Sequence, residues 1–123
     1  MILELLPQEY AVCQLTSLQG VELSIPGVFL ACTEEEISLV CPTESVPPHA
    51  AKREEGWRCL KAAGPLDFSL VGILAQIAAC LAAQKIPIFA LSTYNTDYIL
   101  LKRERLGEAL AALTAAGHEI QKR

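Results

Sequence analysis

The sequence predicts an α+β fold, and three observations carry that prediction. Residues 70–84 place Leu70, Ile73, Leu74, Ile77 and Leu81 at helical spacing. Residues 86–102 read as two apolar strands flanking a polar connection, Thr93-Tyr94-Asn95-Thr96. Residues 103–116 return to an amphipathic helical pattern, with Leu106, Leu110 and Leu113 on one face and Gly117 as its stop.

Taken from the N-terminus, Tyr10 to Leu15 reads as a strand. The stretch 16–24 is too short and too β-like for a full helix. A hairpin follows. Its first arm, Ile25-Pro26-Gly27-Val28-Phe29-Leu30-Ala31-Cys32-Thr33, resembles Ile86-Pro87-Ile88-Phe89-Ala90-Leu91-Ser92-Thr93, and Glu36 to Val40 resembles Asp97 to Leu101. The offset is about 60 residues, with small length differences. Such a repeat implies two halves of one ancestry, the first missing a helix. We place the boundary near residue 53, giving an incomplete N-terminal half, 1–53, and a complete C-terminal domain, 54–123.

In the C-terminal domain, Trp57 to Ala62 alternates as a strand and Gly64-Pro65 punctuates it. Asp67 and Ser69 are helix N-cap types. The helix Leu70 to Gln84 carries a second, small-residue face of Ala75, Ala78, Ala79, Ala82 and Ala83, suited to close packing against a neighbour. Ile86 to Ser92 is apolar on both faces, as strands covered on both sides are. Asp97 to Lys102 returns beside it, and His118 to Gln121 adds a last strand. The order β-α-β-β-α-β is the ferredoxin-like split βαβ arrangement, with both helices on one face of an antiparallel sheet. Cover for the other face would come from the N-terminal half or from a second copy, so a homodimer is expected.

Composition narrows the function. The chain has 123 residues, a formal net charge of −4 and 52% hydrophobic residues, the size of one ordinary domain. Its basic residues are scattered or lie near the C-terminus, so no nucleic-acid partner is expected. The longest apolar stretch, Leu70 to Ala83, is broken by Gln76 and falls short of the roughly 20 residues of a membrane span. Met1 to Pro7 carries Glu4 in place of a basic leader, so no secretory signal is expected. Five cysteines without CxxC spacing, four of them in apolar runs, fit reduced, buried thiols in a reducing compartment, hence the cytoplasm.

No catalytic constellation is visible, and no cofactor or metal is expected. His49 and His118 lack ligand-spaced partners. The run Glu34-Glu35-Glu36 falls at a hairpin turn, where solvation is the default. No phosphate-binding glycine loop or nucleophile-elbow motif occurs.

One place invites a ligand. The loop 64–72 leads into a helix whose first turn would carry Gly72, and free N–H groups at a helix start attract a carboxylate or phosphate. Gly72 costs helix stability, which close approach of a ligand would explain; helix-on-sheet packing would explain it too. The polar run 92–97 forms a second wall. There Asp97 could take an ammonium, with Thr93 beside it; equally, Asp97 could be a turn residue capping backbone amides.

At these residues the sequence resembles the small bacterial ACT-domain proteins, which are similar to the ACT repeats of animal cytosolic arginine sensors of the CASTOR type. The blocks are Glu55-Gly56-Trp57-Arg58, Gly64-Pro65-Leu66-Asp67-Phe68, Gly72 to Ile77 and Ile88 to Leu100. The resemblance covers roughly residues 10 to 118 and is densest from 55 to 101. It implies a tandem of two ACT-like halves, the first incomplete, dimers built by sheet and helix pairing, and a ligand, an amino acid by analogy, lodged between ACT units. In the sensors, backbone at the helix start and a Thr-aromatic-x-x-Asp stretch hold the ligand. The matching positions are Val71, Gly72, Thr93, Tyr94 and Asp97. The sensors are longer and carry four ACT units, so arginine itself is not implied. The reading is a regulatory amino-acid-binding module without catalysis; the alternative is a structural dimerisation module with no functional pocket.

Overall fold

The computed structural model describes residues 1–63 and 72–123. Seven strands and two helices follow one another along the described residues: β1 (Ile2–Leu15), β2 (Phe29–Cys32), β3 (Ile37–Pro42), β4 (Lys52–Ala62), α1 (Ile73–Ala83), β5 (Phe89–Ser92), β6 (Asp97–Lys102), α2 (Leu106–Ala115) and β7 (Glu119–Lys122). They form two compact units, one of residues 8–57 and one of residues 1–7 with 58–123. The long strands β1 and β4 each contribute to both.

In the unit of residues 8–57 the strands lie in the order β2-β3-β1-β4. β1 and β3 are antiparallel, with Tyr10 opposite Pro42 and Leu15 opposite Ile37. Just before β4, the Ala51 amide donates to the Gln14 carbonyl of β1 at 3.0 Å. Two-residue periodicity sends Ala11, Cys13, Leu15, Leu39 and Cys41 into one buried cluster, covered by Val21, Val28, Val46 and Ala50 from the connecting segments. Neither connection holds an α-helix. Residues 16–28 span thirteen positions where residues 63–88 span twenty-six. The shortfall is one helix and its loops. After β3 the chain makes only a single 3-10 turn, Thr43–Ser45. The sequence predicted one missing helix in this half; both are missing.

The other unit carries both helices. Its strand order is β5-β6-β4-β1, with β7 pairing β1 in parallel. A plain βαββαβ fold would set β7 beside β4. Here Ile2 to Leu5 lies between, opposite Glu119 to Lys122 on one side and bonded to the end of β4 on the other, through Ala63 N–H to the Ile2 carbonyl at 2.8 Å. Residues 2–9, which the sequence did not single out as a strand, are therefore structural. Leu3, Leu5, Leu60, Ala62, Ile99 and Leu101 from the sheet meet Ile77, Leu81, Ala109 and Leu113 from the helices in one core. Ile73 and Leu74 pack at its edge, so the helical spacing read from the sequence is the buried face of α1. The alanine face is outward, with Ala75, Ala79, Ala82 and Ala83 exposed.

Gly117 ends α2 as predicted. It adopts φ +98°, and the His118 amide reaches back to the Leu113 carbonyl at 3.0 Å, the closing bond of a Schellman turn. The strand predicted over 86–92 is shorter, Phe89–Ser92, and is an edge strand. Ala90 and Ser92 are exposed and Phe89 and Leu91 half-buried, so the described residues do not supply the expected cover on both faces. The cysteines divide as well: Cys13, Cys41 and Cys59 are buried and Cys80 is half-buried, but Cys32 is exposed, against expectation.

Candidate functional site

The two hairpins share one register at an offset of 60 residues. Phe29, Leu30, Ala31 and Cys32 face Val40, Leu39, Ser38 and Ile37; Phe89, Ala90, Leu91 and Ser92 face Leu100, Ile99, Tyr98 and Asp97. The turns close alike. Thr33 N–H donates to the Glu36 carbonyl at 2.9 Å, and Thr93 N–H to the Thr96 carbonyl at 2.8 Å. In each, the threonine hydroxyl donates to the same carbonyl, at 3.2 Å and 3.1 Å. The match pairs Ile37 with Asp97, one residue away from the Glu36 pairing read from the sequence.

The chemistry of the second hairpin is its own. Ile99 and Leu101 belong to the helix-side core, so strand alternation puts Asp97 on that same face. Ser92, opposite Asp97, donates its hydroxyl to Asp97 Oδ1 at 2.6 Å. The first hairpin has Cys32 and Ile37 in those places. Thr96 is buried, 6% exposed, and its Oγ1 donates to the Ala62 carbonyl at 2.5 Å. This bond fastens the turn to the end of β4, where the chain leaves towards α1. Sequence reading placed Ser92 and Thr96 in the polar run but gave neither a role of its own. The only available signal was that the polar run contains more hydrogen-bonding side chains than a two-residue connection needs.

Each predicted site residue can now be placed. Gly72 is not in the first turn of α1 but at its N-cap, with φ +87° and ψ 2°. Its carbonyl accepts the first helical bond, from Gln76 N–H at 2.8 Å. A Cβ built there meets none of the described residues within 4 Å. The glycine is thus explained by its left-handed backbone, not by close approach of the sheet. Having no side chain, it caps none of the first-turn amides that a helix leaves without internal partners. Thr93 directs its hydroxyl into its own turn. Tyr94 stands 82% exposed at the turn's tip. Asp97 is half-buried at the head of β6, with one carboxylate oxygen engaged by Ser92. Val71 lies outside the described residues.

Other reactive groups are held quiet. Burial pushes the Cys59 thiol up to about 12 and the Cys41 thiol up to about 11, and raises Cys13 too. Such thiols stay protonated and are poor nucleophiles at neutral pH. His49 is exposed, its Nε2 within 3.3 Å of the Ser17 carbonyl. Among the described residues, no three His, Cys, Asp or Glu side chains gather as a metal site would require, and no helix is long and apolar enough to cross a membrane.

A helix-backed, largely antiparallel sheet with a polar hairpin tied to the strand that feeds its first helix defines a ferredoxin-like α+β domain. The chain belongs to the ACT-domain family, whose model matches residues 52–115. It is 40% identical over 60 residues to the Homo sapiens cytosolic arginine sensor for mTORC1 subunit 1, covering 48% of this chain and 18% of that protein. To the Mus musculus counterpart it is 35% identical over 91 residues, covering 68% of this chain and 28% of that one. The chain therefore spans less than a third of the length of these relatives. Among solved structures, a protein from Agobacterium tumefaciens superposes with a TM-score of 0.86 at 27% identity, over 99% of this chain and 92% of that one. Aspartate kinase from Clostridium acetobutylicum, described as an allosteric enzyme, superposes with a TM-score of 0.65 at 10% identity, over 89% of this chain and 33% of that one; this likeness concerns the fold alone.

Proposed function

We propose that this chain is a cytoplasmic, non-catalytic regulatory module that binds an amino acid beside the second hairpin. One observation supports this above others: Thr96 fastens the hairpin turn to the end of β4, so Asp97, on the helix-side face, sits by the strand that leads into α1. On this reading the ligand's carboxylate meets backbone N–H groups near Val71 and Gly72, where the helix end carries about half a positive charge. Its ammonium meets the oxygen of Asp97 that Ser92 leaves open, and Thr93 and Tyr94 border the site. The named activity of the arginine sensors agrees with an amino acid as the ligand class. The halves 1–53 and 54–123 then act as one tandem pair, and two chains form a homodimer through the exposed β5 edge and the alanine face of α1.

The test is a thermal-shift screen of the twenty amino acids, one at a time. A ligand at 100 times its Kd adds about 2.7 kcal/mol of stability; no shift with any of them rejects the amino-acid reading. The alternative, a dimerisation module without a ligand, has its own support. Ser92 already occupies one oxygen of Asp97, and Thr93 turns its hydroxyl inward.

A further inference from the structure

We infer that Thr96 is the positioning residue of this site, acting through the turn that carries Thr93, Tyr94 and Asp97; the inference rests on the ligand-binding reading above. Two strands joined by a tight turn fix the turn's shape, not its place over the neighbouring strand. The first hairpin shows the difference. It has the same register and the same threonine-to-carbonyl closure, yet Glu36, at the position of Thr96, is exposed. In the second hairpin the matching side chain turns inward, and is the one buried polar residue among those described. Its hydroxyl meets the Ala62 carbonyl at 2.5 Å, one residue before Ala63 bonds to Ile2 at the end of the β4–β1 pairing. The hydroxyl thus supplies a side-chain cross-link between the turn and the end of β4. It sets where Asp97 stands relative to the strand end from which the chain departs for Gly72.

The inference separates shape from position, and so does its test. Thr96→Val keeps the side-chain shape and removes the donor, while Thr96→Ser keeps the donor. Amide hydrogen exchange is measured on the unliganded chain at Thr93 and compared with core amides of β6. Affinity is measured for whichever of the twenty amino acids gives the largest thermal shift with the wild type. Thr96→Val is expected to speed Thr93 exchange at least tenfold relative to the core and to weaken binding at least tenfold; Thr96→Ser is expected to hold both within threefold. A general loss of stability would instead speed turn and core exchange together. Unchanged Thr93 exchange in Thr96→Val overturns the inference, and so does faster exchange with unchanged affinity. If no amino acid binds the wild type, the ligand reading fails by itself, and the exchange data still decide whether the hydroxyl holds the turn.

Discussion

Replacing Gly72 tests the backbone of the candidate site most directly. The residue sits at φ +87°, where an L side chain costs about 1–2 kcal/mol. An alanine also lowers the entropy of the unfolded chain, returning about 0.4–1 kcal/mol. Since a Cβ would meet none of the described residues within 4 Å, no clash with them adds to this. Gly72→Ala should therefore lose about 1 kcal/mol net, near 4 °C in Tm for a chain of this size. Gly72→Asn should lose less, because asparagine tolerates the left-handed region. Gly72→Val should lose more, from its branched Cβ rather than from contact with the sheet. Urea unfolding with an unchanged m-value reads these differences. If Gly72→Ala is as stable as the wild type or more so, the residue is not held at positive φ. If Asn and Val cost the same, the backbone explanation is wrong.

Three further outcomes are expected. Asp97→Asn keeps an acceptor for Ser92 but removes the charge, so it should leave the fold intact and weaken amino-acid binding tenfold or more, as loss of a charge-assisted bond of about 1.5–3 kcal/mol implies; a change below twofold by calorimetry would show that the ammonium does not lie there. Cys59 and Cys41 have pKa values raised by burial to about 12 and about 11, against an ordinary 9.0, so the folded state holds protons that the unfolded state releases. Stability from this source is full below pH 9 and falls as pH rises towards 11–12. Urea midpoints should decline from pH 8.5 to 10.5, and less so in a Cys41→Ala, Cys59→Ala variant; an equal decline in both would assign the effect elsewhere. Finally, sedimentation at micromolar concentration should give a dimer, which Ala79→Glu on the exposed face of α1 should weaken; a well-folded wild-type monomer would refute the pairing.

Much of the C-terminal domain was legible because its signals are local. The spacing of Ile73, Leu74, Ile77 and Leu81, the stop at Gly117 and the 97–102 strand depend on neighbours within a turn or a hairpin. What escaped depends on partners far along the chain. Met1 to Pro7 read only as a short apolar stretch, yet Ile2 to Leu5 pairs in parallel with residues 119–122. No local pattern announces a parallel partner more than a hundred residues away. The start of β4 was missed likewise: the charged run Lys52-Arg53-Glu54-Glu55 carries no local strand signal, and β4 reaches back to Lys52, next to the Ala51 amide that bonds to the Gln14 carbonyl. Of the site, Asp97 and Thr93 were legible as residue types, while the roles of Ser92 and Thr96 were not. A serine facing an aspartate across a hairpin, or a threonine whose hydroxyl turns inward, is visible only once the register is known.

The two hairpins share one register, yet their side chains differ. Both halves keep the strand pairing and the threonine-closed turn, which need only backbone and one hydroxyl. Without helices, the first unit has no helix N-terminus to offer an anion, and its Ile37 and Cys32 offer no charge to a cation. Both features would have to be present for a zwitterion to be held at its two ends. In the second unit the helix and the Ser92–Asp97 pair occur together, in the one hairpin whose turn is also fastened to the sheet through Thr96. The polar set thus goes with the helix and not with the hairpin itself. A turn chemistry serving only hairpin stability would have no reason to follow the helix, which favours the ligand over the bare dimerisation module.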